Sequence, residues 1–554
     1  MVRFTLIWLF VLTLVADLKA ENIISENVVI ETDRDIYIAG EDLYFGVFVN
    51  SGHRNTEPVS KICYLVLRNE KNTILKFYVK INNSGTQSSF YLPDTLKTGY
   101  YEIVAFTNSM RNFGEEAYSR KQLIIVNRFD EWLEELKSQN TSGKENDINI
   151  RDNKHSGVYI KTIKDTFGIR EKVDLEIESN QHLSNISITV KELNPLSLLL
   201  LKQQAAFPAL PINEGEMKYK TETNGIHLYG KLTNGNIPVE NECLFISTPD
   251  SFPNLQYTFT NKDGEFIFTL GDYYPGKPLI ITTRENNQGN YHISIDDKFE
   301  LSQPFIPRNK TFDAEMRQYI RESQNIVKVL KAYNINYSLK ETHFYKPHII
   351  PYVYHEPTAV VFPSQFVVLN NFEEIVNNLL TGFRVKSKDG LISGYNMNPA
   401  TGLLFESPSA IFLNGVYVYN LNSIMNFTTP DINKIELCNE YRLKGKIQFS
   451  GIISVNTPKK IDYAAILPGS LVTGIDNALP NISYTSPRYE SNSSRNPLPD
   501  FRQTLYWNII KVLNEKQNFE FYTSDWTGDY IVEVKGTDSS GNRVNAYKII
   551  NISK

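Results

Sequence analysis

Three histidines and a glutamate form the stretch of this chain whose residue types best suit metal chemistry. His343, His348, His355 and Glu356 lie within 14 residues, and imidazole nitrogens with a carboxylate are ligands that zinc and copper accept. The histidine spacings of five and seven residues fit no helical face, and prolines interrupt the stretch. We therefore interpret it as an extended linker that packs on a neighbour, with metal binding as the alternative.

A second acidic group could hold a calcium ion. Asp296, Asp297 and Glu300 supply three carboxylates within five residues, and calcium prefers such oxygen ligands. Because charged residues in a short run usually form a solvated loop edge, we favour that interpretation. Neither group is assigned as a metal site.

The three cysteines, Cys63, Cys243 and Cys438, each lie inside an apolar run. An odd number of cysteines cannot form a complete disulfide framework in an exported protein. We predict three buried free thiols that pack as small apolar side chains.

Motifs that build enzyme active sites do not occur in the sequence. We find no Gly-x-Ser-x-Gly nucleophile elbow, no His-Glu-x-x-His zinc helix and no phosphate loop. The sequence therefore predicts a protein that is not an enzyme, with no catalytic residue and no cofactor.

The size, the charge and the first residues of the chain limit the class of protein. The chain has 554 residues, of which 41% are apolar, and this length predicts about three to five domains. Its net charge of −5 disfavours a nucleic-acid partner. Residues 1–20 combine Arg3, an apolar run and Ala20, which predicts a cleaved signal peptide. No other run is long enough to span a bilayer. We expect an exported protein without a transmembrane segment in its mature form.

Short apolar runs separated by turn residues predict a mostly β fold. One example is Leu43–Val49, where alternation indicates a half-buried strand after the turn Ala39-Gly40-Glu41. Helical periodicity is confined to a few segments, chiefly Asp313–Asn334 and a helix capped by Asn371. The segments that we predict are a signal peptide at 1–20, a β-sandwich at 21–128, a second sandwich with its linker at 129–222, a third sandwich at 223–300, a helical connector at 301–354, a small α+β domain at 355–460 and a C-terminal β-sandwich at 461–554.

Three of these segments resemble known domain families. The pattern Asp-Arg-x-x-Tyr-x-x-Gly-Glu from Asp33 to Glu41 resembles the start of macroglobulin-like domains, and Gly225–Ile293, with its Lys262–Glu265 turn, resembles the carboxypeptidase regulatory-like domain. The stretch Ser407–Thr457 resembles the plug domain of TonB-dependent outer-membrane transporters. Asn414 stands where plug domains usually carry Asp, and Gly46 departs from the macroglobulin-like pattern.

Together the segments resemble Bacteroidota-type exported proteins that combine these domains with a plug lacking its barrel. Only 97 residues follow Thr457, whereas a 22-stranded barrel needs more than about 200. The resemblance implies an array of immunoglobulin-like or macroglobulin-like β-sandwiches plus a small α+β plug-like domain. No cysteine here precedes the Gly-Glu-Gln sequence of the macroglobulin thioester, so protease trapping by that bond is not implied.

Two classes of function remain open from the sequence. The first is a non-enzymatic interaction protein of the cell envelope, an accessory subunit that docks to an outer-membrane β-barrel or transporter complex for import, secretion or barrel assembly. The alternatives are a secreted or surface macroglobulin-like adhesin or inhibitor, and an accessory module of a peptidase. The location that we expect is associated with the outer membrane, on the periplasmic side or the cell surface.

Overall fold

The computed structural model of the chain is mostly β. It describes residues 23–24, 26–50, 60–82, 85–130, 157–194, 212–213, 217–271, 277–285, 290–307, 314–333, 335, 341–343, 350–354, 356–474, 478–489, 498–513 and 515–554. Strands account for 50% and helices for 11%, which confirms the predicted fold class. The predicted signal peptide lies outside the described residues.

The strands are short and follow one another closely along the chain. Up to residue 213 they are β1 (Ile23–Ile24), β2 (Asn27–Thr32), β3 (Ile36–Ile38), β4 (Asp42–Asn50), β5 (Ile62–Arg68), β6 (Thr73–Lys80), β7 (Gly85–Tyr91), β8 (Gly99–Phe106), β9 (Ser119–Val126), β10 (Val158–Thr162), β11 (Thr166–Phe167), β12 (Lys172–Ser179), β13 (Leu183–Glu192) and β14 (Ile212–Asn213). Between residues 226 and 361 they are β15 (Ile226–Asn234), β16 (Ile237–Pro238), β17 (Cys243–Ser247), β18 (Gln256–Phe259), β19 (Glu265–Leu270), β20 (Leu279–Thr283), β21 (Tyr291–Ile295), β22 (Glu341–His343) and β23 (Ala359–Val361).

The remaining strands and the α-helices complete the elements. The strands are β24 (Phe383–Lys388), β25 (Leu391–Asn396), β26 (Ala410–Leu413), β27 (Val416–Val418), β28 (Lys434–Lys444), β29 (Ile447–Asn456), β30 (Leu471–Thr473), β31 (Ala478–Leu479), β32 (Asn481–Ser483), β33 (Thr504–Leu513), β34 (Lys516–Tyr522), β35 (Gly528–Asp538) and β36 (Arg543–Ile552). The helices are α1 (Ala314–Ala332), α2 (Phe372–Leu379) and α3 (Tyr463–Ile466).

The chain divides into two compact units, each built from separate segments. Unit 1 comprises Met1–Thr223, Phe299–Phe344 and Leu479–Lys554, and unit 2 comprises Asn224–Lys298 and Tyr345–Ala478. In unit 1 the first sandwich pairs the sheet β2-β4-β7 with the sheet β3-β9-β8-β5-β6, which carries the two-residue β31 at its edge. This sandwich contains the predicted strands of residues 21–128.

The second sandwich of unit 1 combines strands from two segments that we predicted as separate sandwiches, 129–222 and 461–554. Its sheets are β10-β12-β34 and β11-β36-β35-β13-β33. The prediction that these segments form independent domains is therefore wrong. Strand β13 pairs with β33 on one side and β35 on the other. The few strands within residues 158–192 are too few to form two sheets by themselves. Their pairing with strands more than 300 residues away cannot be predicted from the local periodicity of the sequence.

Strand β4 shows a second difference from the sequence expectation. Every residue from Leu43 to Val49 is buried, although their alternation predicts a strand with one face in water. The outer face is covered because β33 of the second sandwich packs on it: a Cβ placed on Gly46 would lie 2.6 Å from Ile509 Cγ2.

Helix α1 lies within the predicted Asp313–Asn334. Its apolar residues Met316, Tyr319, Ile320 and Val327 share one core cluster with the strands β3 and β9 of the first sandwich. The helix therefore packs on a neighbouring sandwich, as its amphipathic pattern predicts.

Unit 2 combines a β-sandwich with a small α+β domain. The sandwich has one sheet in which β15 pairs with β16, β19 and β21, and a second sheet ordered β18-β17-β20-β30. Gly264 has a φ of +72° in the predicted turn after β18. The α+β domain has the mixed sheet β23-β28-β29-β26-β27, the hairpin β24-β25 and helix α2. Asn371 caps α2, because its side chain accepts a 2.8 Å hydrogen bond from Glu374 N.

The α+β domain and the sandwich of unit 2 share a core, so residues 355–460 do not stand alone. Phe245 of β17 packs edge-on against Tyr417 of β27 at 4.8 Å between ring centres, and both belong to a cluster that includes Phe412 and Phe449. Strand β30, which lies within the predicted C-terminal segment 461–554, pairs with β20 of this sandwich.

Candidate functional site

A buried polar region lies between the two sandwiches of unit 1, and the residues Asp33–Glu41 form its base. Asp33 Oδ1 accepts hydrogen bonds from Tyr37 Oη at 2.7 Å and from Tyr44 N at 3.1 Å. Glu41 Oε2 accepts one from Ile38 N at 2.7 Å. These bonds fix the loop between β2 and β4 and direct the Arg34 side chain outward from the first sandwich.

Arg34 connects the signature loop to the second sandwich. Its Nη1 donates to Glu41 Oε1 at 3.2 Å and to Gln503 Oε1 at 2.7 Å. Thr504 Oγ1 donates to Asp33 Oδ2 at 2.8 Å, and Gln503 Nε2 donates to Ser323 Oγ of α1 at 2.7 Å. Residues of the Asp33–Glu41 pattern thus form a joint among two sandwiches and helix α1.

A buried ionic cluster lies beside this joint. Lys191 of β13 is 3.1 Å from Asp35 Oδ2 and 3.3 Å from Glu533 Oε2, and its side chain is only 4% exposed. Lys121 of β9 is 3.2 Å from Asp35 Oδ1, and Lys535 of β35 is 3.1 Å from Glu533 Oε1. The Lys191–Asp35 pair joins the two sandwiches, whereas Lys121–Asp35 lies within the first sandwich and the two Glu533 pairs lie within the second.

Glu31 is a further buried carboxylate of this cluster. It contacts Lys121 and Lys535, each at 3.5 Å, and Arg543 at 4.0 Å. Burial raises the pKa of the Glu31 carboxyl, but Lys535, Lys121 and Arg543 outweigh burial and hold the pKa at about 2. For Asp35, burial is likewise outweighed, by Lys191, Lys121 and Lys535, and the pKa lies well below its usual value. The carboxylates stay ionised in the interior because the neighbouring lysines supply the charge.

An apolar contact closes the other side of the joint. Trp507 of β33 is 1% exposed and clusters with Tyr44 and Ile482, and the rings of Tyr44 and Tyr484 meet edge-on at 5.1 Å. Gly46 leaves the space that Ile509 and Trp507 occupy. Glycine at this position, which departs from the macroglobulin-like pattern, is explained by this close approach.

A cleft of about 280 Å³ opens above Arg34 and Gln503, lined also by Arg502 and by residues of α1. Two of its arginines are held by neighbouring groups: Arg502 Nη2 lies 2.7 Å from Asp500 Oδ2, and Arg34 bonds to Glu41 and Gln503. The Arg34–Gln503 bond joins the two sandwiches at the base of the cleft.

The metal-ligand candidates from the sequence are largely outside the described structure. The structure describes the backbone of His343 in β22 but not its side chain, and His348 and His355 lie outside the described residues. Within the described ranges, no group of three or more His, Cys, Asp or Glu side chains, including Asp296, Asp297, Glu300 and Glu356, could hold a metal ion.

The cysteine prediction is confirmed. Cys63, Cys243 and Cys438 are all free and buried. Burial raises the pKa of Cys243 to about 11, which keeps the thiol protonated at neutral pH.

The turn between β26 and β27 in the plug-like stretch is buried against unit 2's own sandwich. Asn414 has a φ of +44° and Gly415 a φ of +81°. The Asn414 carboxamide donates to Thr457 Oγ1 at 2.9 Å and accepts from Thr457 N at 2.7 Å. A Cβ on Gly415 would lie 2.7 Å from Phe252 O and 2.8 Å from Asp250 O. Asn414-Gly415 is thus a structural contact that joins the α+β domain to the sandwich.

An exposed apolar stretch begins within strand β23 and continues beyond it to Val368. Val360, Phe362, Phe366, Val367 and Val368 are exposed, with Val367 at 76%, and no charged residue occurs from Pro357 to Phe372. We call these five side chains the apolar stretch.

Two hydrogen bonds hold the backbone in the second half of the apolar stretch. Phe366 N donates to Pro363 O at 3.0 Å, and Leu369 N donates to Thr429 Oγ1 at 3.3 Å. Sequence reasoning placed this segment before α2 without recognising its exposure. The sequence feature that could have indicated this exposed stretch is the run of 16 residues without a charged side chain. Apolar core segments are usually bounded by polar residues within a few positions.

The fold and these contacts define a mostly β protein of two joined sandwiches and an inserted sandwich with an α+β domain. No family model and no curated protein matches the chain. Similar solved structures include a Salmonella alpha-2-macroglobulin reacted with methylamine (8% identity, 96% of this chain and 39% of that chain, TM-score 0.23) and a trypsin-activated alpha-2-macroglobulin from Escherichia coli (8%, 97% and 42%, TM-score 0.23).

A domain pair of intimin is also similar (10% identity, 48% of this chain and 93% of that chain, TM-score 0.14). The chain spans about two fifths of the length of the macroglobulins that it matches. At these scores the neighbours carry no argument about the fold or the function. Every helix in the described ranges is too short or too polar to cross a membrane.

Proposed function

We propose that this chain is a non-enzymatic interaction protein of the cell envelope, an accessory subunit that docks to an outer-membrane β-barrel or transporter complex. The observation that carries the proposal is the apolar stretch of unit 2, defined above. Large exposed apolar groups that are contiguous in a folded protein mark surfaces that bind other proteins or membranes.

The composition of the stretch supports protein docking. Two phenylalanines and three valines give a surface with large apolar area and no charge to desolvate. Because hydrogen bonds at Phe366 and Leu369 hold the backbone, the side chains need little ordering when a partner covers them, which reduces the entropic cost of binding.

The joint of unit 1 supports a role as a rigid element. Arg34, Lys191 and Trp507 each contact groups of the other sandwich, so rotation of one sandwich against the other would separate buried charges. A pair of sandwiches fixed in this way can act as a spacer in an envelope complex.

The experiment is capture of outer-membrane proteins from detergent-solubilised envelopes with the purified chain, read by mass spectrometry. We expect the wild-type chain to capture a β-barrel protein and a variant carrying Phe366→Ser, Val367→Ser and Val368→Ser to lose it. The matched controls are Ile237→Ser and Leu403→Ser, which alter exposed apolar residues of the same unit at 71% and 70% exposure.

Point substitutions are preferred to removal of residues 355–457, because that deletion would expose Phe245 and the other core residues shared with the sandwich. Retention of the same barrel protein by the triple variant would overturn the docking role of the stretch. Capture of no barrel protein by the wild-type chain would overturn the proposed function itself and favour the surface adhesin or inhibitor alternative.

A further inference from the structure

The outer edge of β28 is only partly covered by its neighbouring strand. Strand β23 pairs with Ile435, Glu436 and Leu437, whereas β28 continues to Lys444. In the described part of the chain, no strand pairs with the outer side of Glu440–Lys444. Within the described residues the backbone of the sheet therefore ends in an edge that no strand covers at this point, and only the Lys444 side chain bonds across, to Tyr352 O at 3.1 Å and Pro351 O at 3.4 Å.

The register of the β28–β29 hairpin shows which backbone groups face that edge. Lys444 lies opposite Ile447 across a two-residue turn. The pair that closes such a turn is hydrogen-bonded, and hydrogen-bonded and non-bonded pairs alternate away from it. Lys444 and Arg442 therefore bond to β29, and Tyr441 and Leu443 direct their N–H and C=O groups outward.

The side chains at the same two positions are apolar and exposed. Tyr441 is 53% and Leu443 is 73% exposed, and residues two apart on a strand share one face of the sheet. Unpaired edge amides beside exposed apolar side chains are features that natural proteins usually cover or pair.

The edge is complementary to itself. If two copies pair antiparallel with Arg442 on the two-fold axis, Tyr441 of each copy lies opposite Leu443 of the other, and their outward N–H and C=O groups bond directly. The same register places Glu440 opposite Lys444, an oppositely charged cross-strand pair. Arg442 meets its own copy at the axis, and Glu440 of the same chain neutralises it at 3.3 Å.

We infer that the Glu440–Lys444 edge is a homodimer interface, in which a second copy of this chain adds its own β28 and extends the sheet across a two-fold axis. The contact is isologous, as most protein dimers are. It goes beyond the proposed function, and its test is separate because it changes residues of β28 and β29 and leaves the apolar stretch unaltered.

The experiment is sedimentation velocity of the full chain over a concentration series. We expect the wild-type chain to dimerise and Leu443→Pro to be monomeric, because proline removes the outward N–H at this edge. The β28–β29 pairing does not use that N–H, so the hairpin should persist, and an unchanged far-UV circular dichroism spectrum would establish this. The matched control is Gln448→Pro: Gln448 lies directly opposite Leu443, and its N–H points away from β28, so dimerisation should be retained.

A charge variant tests the register. Glu440→Lys places two lysines opposite each other at both ends of the contact, and we expect the dimer dissociation constant to rise roughly tenfold, with partial recovery at high salt. A wild-type chain that stays monomeric, a Leu443→Pro chain that still dimerises, or a Gln448→Pro chain that dissociates would each overturn the inference. If the wild-type chain stays monomeric, an extended strand of another protein remains as the candidate occupant of the edge.

Discussion

Replacing Lys191 by methionine tests the joint between the two sandwiches of unit 1. Methionine keeps much of the length and apolar body of the lysine side chain but removes its charge. Lys191 Nζ lies 3.1 Å from Asp35 Oδ2 and 3.3 Å from Glu533 Oε2, and the substitution leaves both carboxylates buried with one fewer cation between them.

The magnitude follows from the charges that remain. Removal of one partner from a buried pair costs about 3–5 kcal/mol. Asp35 keeps Lys121 at 3.2 Å and Glu533 keeps Lys535 at 3.1 Å, so part of the carboxylate charge stays compensated. We therefore expect a loss of about 3 kcal/mol, the lower end of that range.

The assay is urea unfolding followed by tryptophan fluorescence, since Trp507 is buried at the joint. The matched control is Lys161→Met, which removes a lysine that contacts Glu176 and Glu178 on an exposed sheet face and should leave the midpoint unchanged. Adding Asp35→Asn to Lys191→Met should recover part of the loss, because one of the uncompensated charges disappears. A Lys191→Met chain as stable as the Lys161→Met chain would refute the idea that these charges hold the sandwiches together.

Three further predictions concern single positions. Gly46→Val should destabilise unit 1 by about 1–3 kcal/mol through overpacking against β33, whereas Gly99→Ala, with nothing within 4 Å of its Cβ, should be nearly neutral in urea unfolding. Gly415→Ala should lower the thermal midpoint more than Gly390→Ala, because the φ values are similar (+81° and +78°) but only Gly415 has backbone oxygens within 3 Å; equal shifts would show that the close contact is unimportant. Because the pKa of Glu31 is lowered from 4.5 to about 2 on folding, its contribution is complete above about pH 4.5 and is lost as the pH falls towards 2, so Glu31→Gln should flatten the acid unfolding profile.

Much of the local structure could be predicted from the sequence. The alternation of apolar residues in short runs indicates strands, and the periodicity of Asp313–Asn334 indicates helix α1, because both signals depend on neighbours within a few residues. The capping of α2 by Asn371 and the turn at Gly264 follow from side-chain and backbone chemistry of single residues. The buried state of the cysteines follows from the apolar runs that contain them.

The candidate site was only partly accessible in this way. The signature from Asp33 to Glu41 marked a domain start, but its role at the joint depends on Gln503 and Thr504, which lie more than 450 residues away. Lysines and carboxylates that are scattered along a sequence are usually interpreted as solvated surface residues. The residues next to Lys191 in the sequence do not distinguish it from an exposed lysine.

The sequence by itself therefore determined the kind of elements and the local turns, since these are set by short-range sterics and side-chain alternation. Only the tertiary structure decided that residues 158–192 and 504–552 close one sandwich, that β4 is buried on both faces and that Gly46 must be small. The physical reason is that strand pairing and the compensation of buried charge are contacts between distant segments. Their partners become neighbours only when the chain has folded.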